Sequence, residues 1–243
     1  MRLVSYLAKL TAMFKWWHQL QQHFCLFCLA PATKKIPICD KCIEVLPHSE
    51  SYCPQCGSPL TPPSSCLTCT TESALISRFW FPFWYVEPID TLIKALKFAN
   101  QLYLARLLGE LLADYLLSVN FKLADIDVIM PVPLGAKRLA QRGYNQAGEI
   151  AKVVARRLNL PLDLTYLERH VDTTAQATLN VKRRKRNLSH AFRVAVSTAP
   201  YHSVALIDDV FTTQATLNAC ASVLQAAKVR YIEAWCVAHA RFN

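Results

Sequence analysis

A chain of 243 residues, 53% of them hydrophobic, can bury a core of ordinary size and has room for one large domain or two unequal ones. No stretch reaches the ~20 uninterrupted apolar residues of a membrane-spanning helix, which excludes an integral membrane protein of that kind. The formal charge of +10 favours an anionic partner, although two zinc ions held by eight cysteine thiolates would lower it to about +6.

Residues Met1 to Gln22 read as an amphipathic helix, with Leu3, Leu7, Leu10, Phe14, Trp17 and Leu20 on one broad apolar stripe. Lys9, Lys15 and His18 interrupt the apolar run, and no small-residue cleavage site precedes Cys25. The segment therefore does not read as a secretory signal, and the chain is expected to be cytoplasmic, where thiols stay reduced. The stripe suits docking on the protein's own surface, or contact with a partner or membrane surface.

Eight of the ten cysteines follow as four Cys-x-x-Cys turns, Cys25 with Cys28, Cys39 with Cys42, Cys53 with Cys56 and Cys66 with Cys69, separated by gaps of ten, ten and nine residues. The intervening Pro, Ser and Thr supply almost no core of their own. Zinc takes four soft ligands in a tetrahedron and each turn presents two sulfurs, so four turns supply two ions. Sequential and interleaved pairing both satisfy the ion, and the short gaps favour the sequential one. A complete set of thiolates leaves no position for water, so the zinc is expected to be structural. The expected organisation is a helix over residues 1–22, a double zinc ribbon over 23–74 and a larger domain over 75–243.

In that larger domain an aromatic run, Phe79 to Tyr85, leads into an apolar pattern from Ile89 to Val119 that reads as one or two helices. A strand is predicted over Asp127 to Val132, a helix over Asn145 to Leu158, a strand over Val204 to Ile207, a helix over Ala215 to Ala227 and a strand over Tyr231 to Val237. Strands alternating with helices predict an α/β fold, a parallel sheet with helices on both faces. The isolated Cys220 and Cys236 are expected in its core.

Three segments carry candidate chemistry. After the first strand, Met130 to Gln146 brings Lys137, Arg138 and Arg142 into the start of a helix. Thr174 to Phe192 holds five consecutive basic residues, Lys182, Arg183, Arg184, Lys185 and Arg186. A lone basic run is usually a solvated face, but these two accompany a third segment, Val204 to Leu217. There a buried strand ends in Asp208 and Asp209, followed by a hydroxyl-rich turn and a helix. In an open parallel sheet, ligands bind at the carboxyl ends of strands. The turn can aim backbone N–H groups, including that of Ala215, and the hydroxyls of Thr212, Thr213 and Thr216 at a phosphate, aided by the positive end of the helix. Two carboxylates beside it suit a ribose diol and a magnesium ion.

This third segment resembles the phosphoribosyl pyrophosphate (PRPP) signature of type I phosphoribosyltransferases, a hydrophobic strand, two acids and a Thr-Thr-Gly-x-Thr loop. Gln214 stands where that loop has glycine; its side chain either narrows the pocket or donates its amide to the phosphate. The Pro-Val-Pro-Leu, Arg-Gly-Tyr-Asn-Gln, Gln-x-x-Leu, Arg-x-x-Asn-Leu and Asp-Asp-Val motifs, in this order behind paired cysteines, resemble the ComF family of bacterial competence proteins over about residues 24 to 243. The resemblance implies a double zinc ribbon, a type I phosphoribosyltransferase-like domain and a role in natural transformation, in the uptake and handling of single-stranded DNA with other competence proteins. It also places family motif positions on Arg138, Arg142, Asn145 and Gln146, and on Gln176, Leu179, Arg184 and Asn187, the latter in the loop that closes over pyrophosphate in active enzymes. Three functions stay open: DNA handling through a phosphate pocket, PRPP-dependent phosphoribosyl transfer with magnesium, and regulatory PRPP binding without turnover. In the first, Lys182 to Arg186 track the nucleic-acid backbone, and Tyr144, Phe192 or Phe211 are candidates for base stacking.

Overall fold

The computed structural model describes residues 23–32, 36–60, 66, 69, 75–119, 125–171, 191–195, 201–212 and 214–240. The helix expected over 1–22, the basic run Lys182 to Arg186, the motif positions Gln176, Leu179 and Asn187, and Thr213 lie outside them. The chain forms two compact units, dividing between Leu46 and Pro47. Among the described residues no helix is long and apolar enough to cross a membrane.

In the first unit, two-residue strands β1 (His23–Phe24) and β2 (Pro31–Ala32) pair antiparallel, and a single-turn helix α1 (Asp40–Glu44) follows. Each Cys-x-x-Cys turn is closed by a backbone bond, Leu29 N–H to Cys25 O at 3.0 Å in one and Cys42 N–H to Cys39 O at 3.0 Å in the other.

The second unit is built on a parallel sheet. Strands β3 (Arg78–Trp80) and β4 (Phe83–Trp84) both pair with β9 (Tyr231–His239), which pairs with β8 (Ser203–Phe211), which pairs with β5 (Val128–Pro131). Val204 to Ile207 are buried without alternation, as expected of a strand covered on both faces. One face of the sheet, with Met130, Leu206 and Cys236, shares a core with Leu217, Cys220 and Leu224 of helix α6 (Ala215–Ala226). The other carries helices α3 (Tyr103–Ser118) and α5 (Gln146–Leu158), which contact β9 and β8. The α/β fold with helices on both faces is thus the one predicted. An antiparallel pair, β6 (Leu167–Arg169) and β7 (Phe192–Val194), lies beside α6.

The long apolar pattern resolves into two helices, α2 (Ile89–Phe98) and α3. The break falls at Asn100, whose φ of 53° is left-handed, a conformation asparagine tolerates better than most residues. Helices α3 and α5 approach closely at Gly109, where a Cβ would stand 2.7 Å from Val153 Cβ. Arg157 bridges the same pair, reaching Glu110 at 2.8 Å and Asp114 at 2.7 Å.

Candidate functional site

The cleft is built where β5 and β8 end. Beyond β5, residues 132–135 lead into helix α4 (Ala136–Arg142), which terminates on Gly143 at φ 82°, a left-handed position suited to glycine. Asn145 then caps α5: its Oδ1 accepts from Ala147 N–H at 3.2 Å and its Nδ2 donates to Val132 O at 3.0 Å. One side chain thus starts the helix and fixes the segment that forms one wall.

Strand β8 runs further than its sequence suggested, pairing with β9 through Phe211, so both acids lie inside it. Such an arrangement needs compensation for buried charge. Asp209 is buried; its Oδ1 accepts from Val210 N–H at 2.7 Å, and its Oδ2 lies 2.9 Å from Lys97 Nζ, an ion pair without hydrogen-bond alignment. Asp208, partly exposed, accepts from Asp209 N–H at 2.8 Å. Removal from water, and then the negative charge of Asp209, push the Asp208 carboxyl up to about 8, only partly opposed by Lys97.

The cleft between these walls has a volume of about 220 Å³. Of the residues singled out from sequence, Asp208, Asp209, Thr212, Thr216 and Arg138 line it, joined by Gln146 of the Asn-Gln motif. Lys137, Arg142, Gln214 and Ala215 are not among the described lining residues. Arg142 instead bonds Gln146 Oε1 and places its guanidinium 5.4 Å from the centre of the Phe98 ring. The Gln214 amide turns from the cleft and donates to Cys56 O at 3.1 Å.

Two lining cations, Lys97 and Arg169, had no sequence signal. Lys97 sits in the last turn of α2, where a lysine ordinarily complements the helix dipole, and only the packing of Leu92, Ile93 and Leu96 aims it at Asp209. Arg169 ends a three-residue strand. Of the aromatics considered for base stacking, Phe192 and Phe211 are buried, and the Tyr144 hydroxyl is bonded to Leu96 O. An exposed ring stands beside the cleft's lysine: Phe98, 78% accessible and next to Lys97 in sequence.

The cysteines gather as Cys25, Cys28, Cys39 and Cys42 in the first unit and Cys53, Cys56, Cys66 and Cys69 in the second, the sequential pairing. Within each group the sulfurs lie within 4.8 Å of one another, and adjacent sulfurs stand 3.5 to 3.6 Å apart. A disulfide requires ~2 Å, whereas bonds of ~2.3 Å from a tetrahedral zinc put sulfurs ~3.8 Å apart. Each group fits one metal ion.

No protein-family model matches the chain. Among curated proteins it is similar to Competence protein F of Haemophilus influenzae, 36% identical over 209 residues that span 83% of this chain and 89% of that one. It is also similar to the DNA utilization protein YhgH of Salmonella typhimurium, 32% identical with coverage of 88% and 95%, and to Competence protein ComFC of Bacillus subtilis, 27% identical with coverage of 82% and 81%. Among solved structures, a hypoxanthine phosphoribosyltransferase from Staphylococcus aureus overlays 54% of this chain and 61% of its own at a TM-score of 0.34 and 12% identity, too shallow to inform the cleft. On the strength of its curated relatives, similar across most of their length, the chain belongs to the ComF family of competence proteins.

Proposed function

We propose that this chain acts in natural transformation, in the handling of incoming single-stranded DNA, and that its cleft binds a ribose 5-phosphate group, that of PRPP with magnesium or that of a nucleic-acid end. The observation that carries the reading is the gathering of Thr212, Thr216 and the start of α6 with Lys97, Arg138 and Arg169 around the two acids of β8 in one cleft. The hydroxyls and the helix start suit a phosphate, and Arg138 and Arg169 suit a second anionic group beside it. Asp208, which lines the cleft, suits hydrogen bonds from a ribose diol or a divalent cation, which would neutralise charge on a bound diphosphate. Lys97 answers the charge of Asp209, so the cleft can admit a polyanion despite its acids.

The proposed nucleic-acid role is supported by what the similar proteins are named for, competence and DNA utilization. It is supported as well by the exposed Phe98 ring with Arg142 over it at the end of the helix bearing Lys97, a pairing of stacking surface and cation that suits single strands. The two cysteine groups are proposed to hold structural zinc. Phe24, Leu26, Phe27, Leu29 and Val45 of the first unit are exposed, a surface suited to a protein of the uptake machinery.

Calorimetric titration of the zinc-loaded protein with magnesium PRPP, and with a 5′-phosphorylated single-stranded oligonucleotide, tests the proposal. Saturable binding of at least one of them is expected, weakened at least tenfold in an Asp208→Asn, Asp209→Asn variant. Absence of binding by both would refute the assignment of the cleft. Release of pyrophosphate on addition of candidate nitrogen nucleophiles would instead establish the transferase reading.

A further inference from the structure

We infer that Gln214 is a positioning residue that couples metal occupancy of the second cysteine cluster to the geometry of the phosphate-binding turn. The inference rests on the reading of that turn given above, and it concerns contacts confined to the second unit. The turn between β8 and α6 is anchored on the cysteine knuckle at both of its ends. At the leading end, Phe211 closes β8, and Gly57, with φ 73°, lies so near its ring that a Cβ there would stand 2.6 Å from Phe211 Cε1. Phe211 in turn stacks on Phe79 at 4.7 Å, and the Phe79 N–H donates to Pro54 O at 2.7 Å inside the Cys53 to Cys56 turn. At the trailing end Gln214, the N-cap residue of α6, makes no capping bond with its side chain and donates its amide to Cys56 O instead.

Cys56 is both a member of the metal-binding group and the acceptor that holds Gln214. The knuckle has little apolar content of its own, so the position of its carbonyl depends on the ion that gathers the four sulfurs. A glycine at 214, as in the resembling transferase loop, has no side-chain amide to offer, so the substitution that departs from that loop is also the one that makes this contact. Coupling of this kind is reciprocal: if zinc organises the turn for its ligand, the ligand must hold the zinc more tightly by the same factor.

Two measurements on the full-length zinc-loaded protein decide it. The first needs no ligand. Hydrogen exchange at residues 211, 212 and 214–216 is expected to accelerate at least tenfold when the second cluster loses zinc, and by a similar factor in Gln214→Ala with zinc still bound, while Val204 to Ile207 of the same strand stay protected. Unchanged exchange at the turn in either case overturns the inference. The second follows zinc transfer to a chromophoric chelator with and without magnesium PRPP, the slow and fast phases being assigned with a Cys39→Ser, Cys42→Ser variant. The ligand is expected to slow release from the second cluster about fivefold or more in the wild type and less than twofold in Gln214→Ala. Equal slowing in both proteins overturns the coupling, as does ligand binding with no slowing in either. If magnesium PRPP fails to bind the wild type, the proposed PRPP site fails by itself, and the exchange result alone upholds or overturns the link.

Discussion

Lys97 shows how a single side chain decides what a buried acid can do. Asp209 lies inside a strand with almost no exposure, and the lysine is the cation that offsets it. Replacing Lys97 with Met is expected to cost about 2 to 3 kcal/mol in urea unfolding, below the roughly 3–5 kcal/mol of a fully buried pair because the lysine side chain stays 20% exposed. A Lys97→Met, Asp209→Asn double variant should recover most of the loss. Asp208 has the opposite character. Its proton is held more tightly in the folded protein than in the unfolded chain, so stability falls as pH rises from about 4, the ordinary carboxyl value, toward about 8, and the full cost persists above that. Asp208→Asn should therefore stabilise the protein at pH 8 and leave it unchanged at pH 4, as measured by denaturant midpoints. The pair itself was legible in the sequence because strand, acids and threonines are contiguous. Lys97 and Arg169 were not, since nothing local distinguishes a lysine that ends a helix facing water from one that ends it facing a carboxylate 112 positions away in the chain.

The elements were easier to read than their meeting points. Alternating strands and helices predicted the parallel sheet, and the asparagine cap of α5 follows the usual preference for that residue at a helix start. The extent of β8 was misjudged because two adjacent acids look like the start of a loop; the ladder to β9 continues through them with Lys97 supplying the counter-charge. Gly109 sits inside α3 at its close approach to α5. Its role is to admit Val153, and this makes a clear prediction. Alanine there gains about 1 kcal/mol of helix propensity but crowds α5 at a cost of about 1–3 kcal/mol. Gly109→Ala should lower the melting temperature, and adding Val153→Ala should restore part of the loss.

At the scale of the whole molecule the cysteines belong to two bodies, and this could not be read from four evenly spaced turns. The division at Leu46 and Pro47 falls between the two metal-binding groups. A chain beginning at Pro47 is expected to fold, to bind one zinc ion by atomic absorption against two for the full chain, and to keep the affinity of its cleft for magnesium PRPP within about threefold. Loss of folding in that shorter protein would show that the first unit is needed for the second. The sheet order adds something of a different kind. Strand β9 is the last of the described strands in chain order, yet it sits inside the sheet, between β8 and the early strands β3 and β4. During synthesis on the ribosome, the second cysteine knuckle and the aromatic strands beside it emerge long before the strand that receives them. Metal capture by the cysteines can precede completion of the sheet, and the nascent chain carries an unfilled place at its centre until β9 itself has emerged.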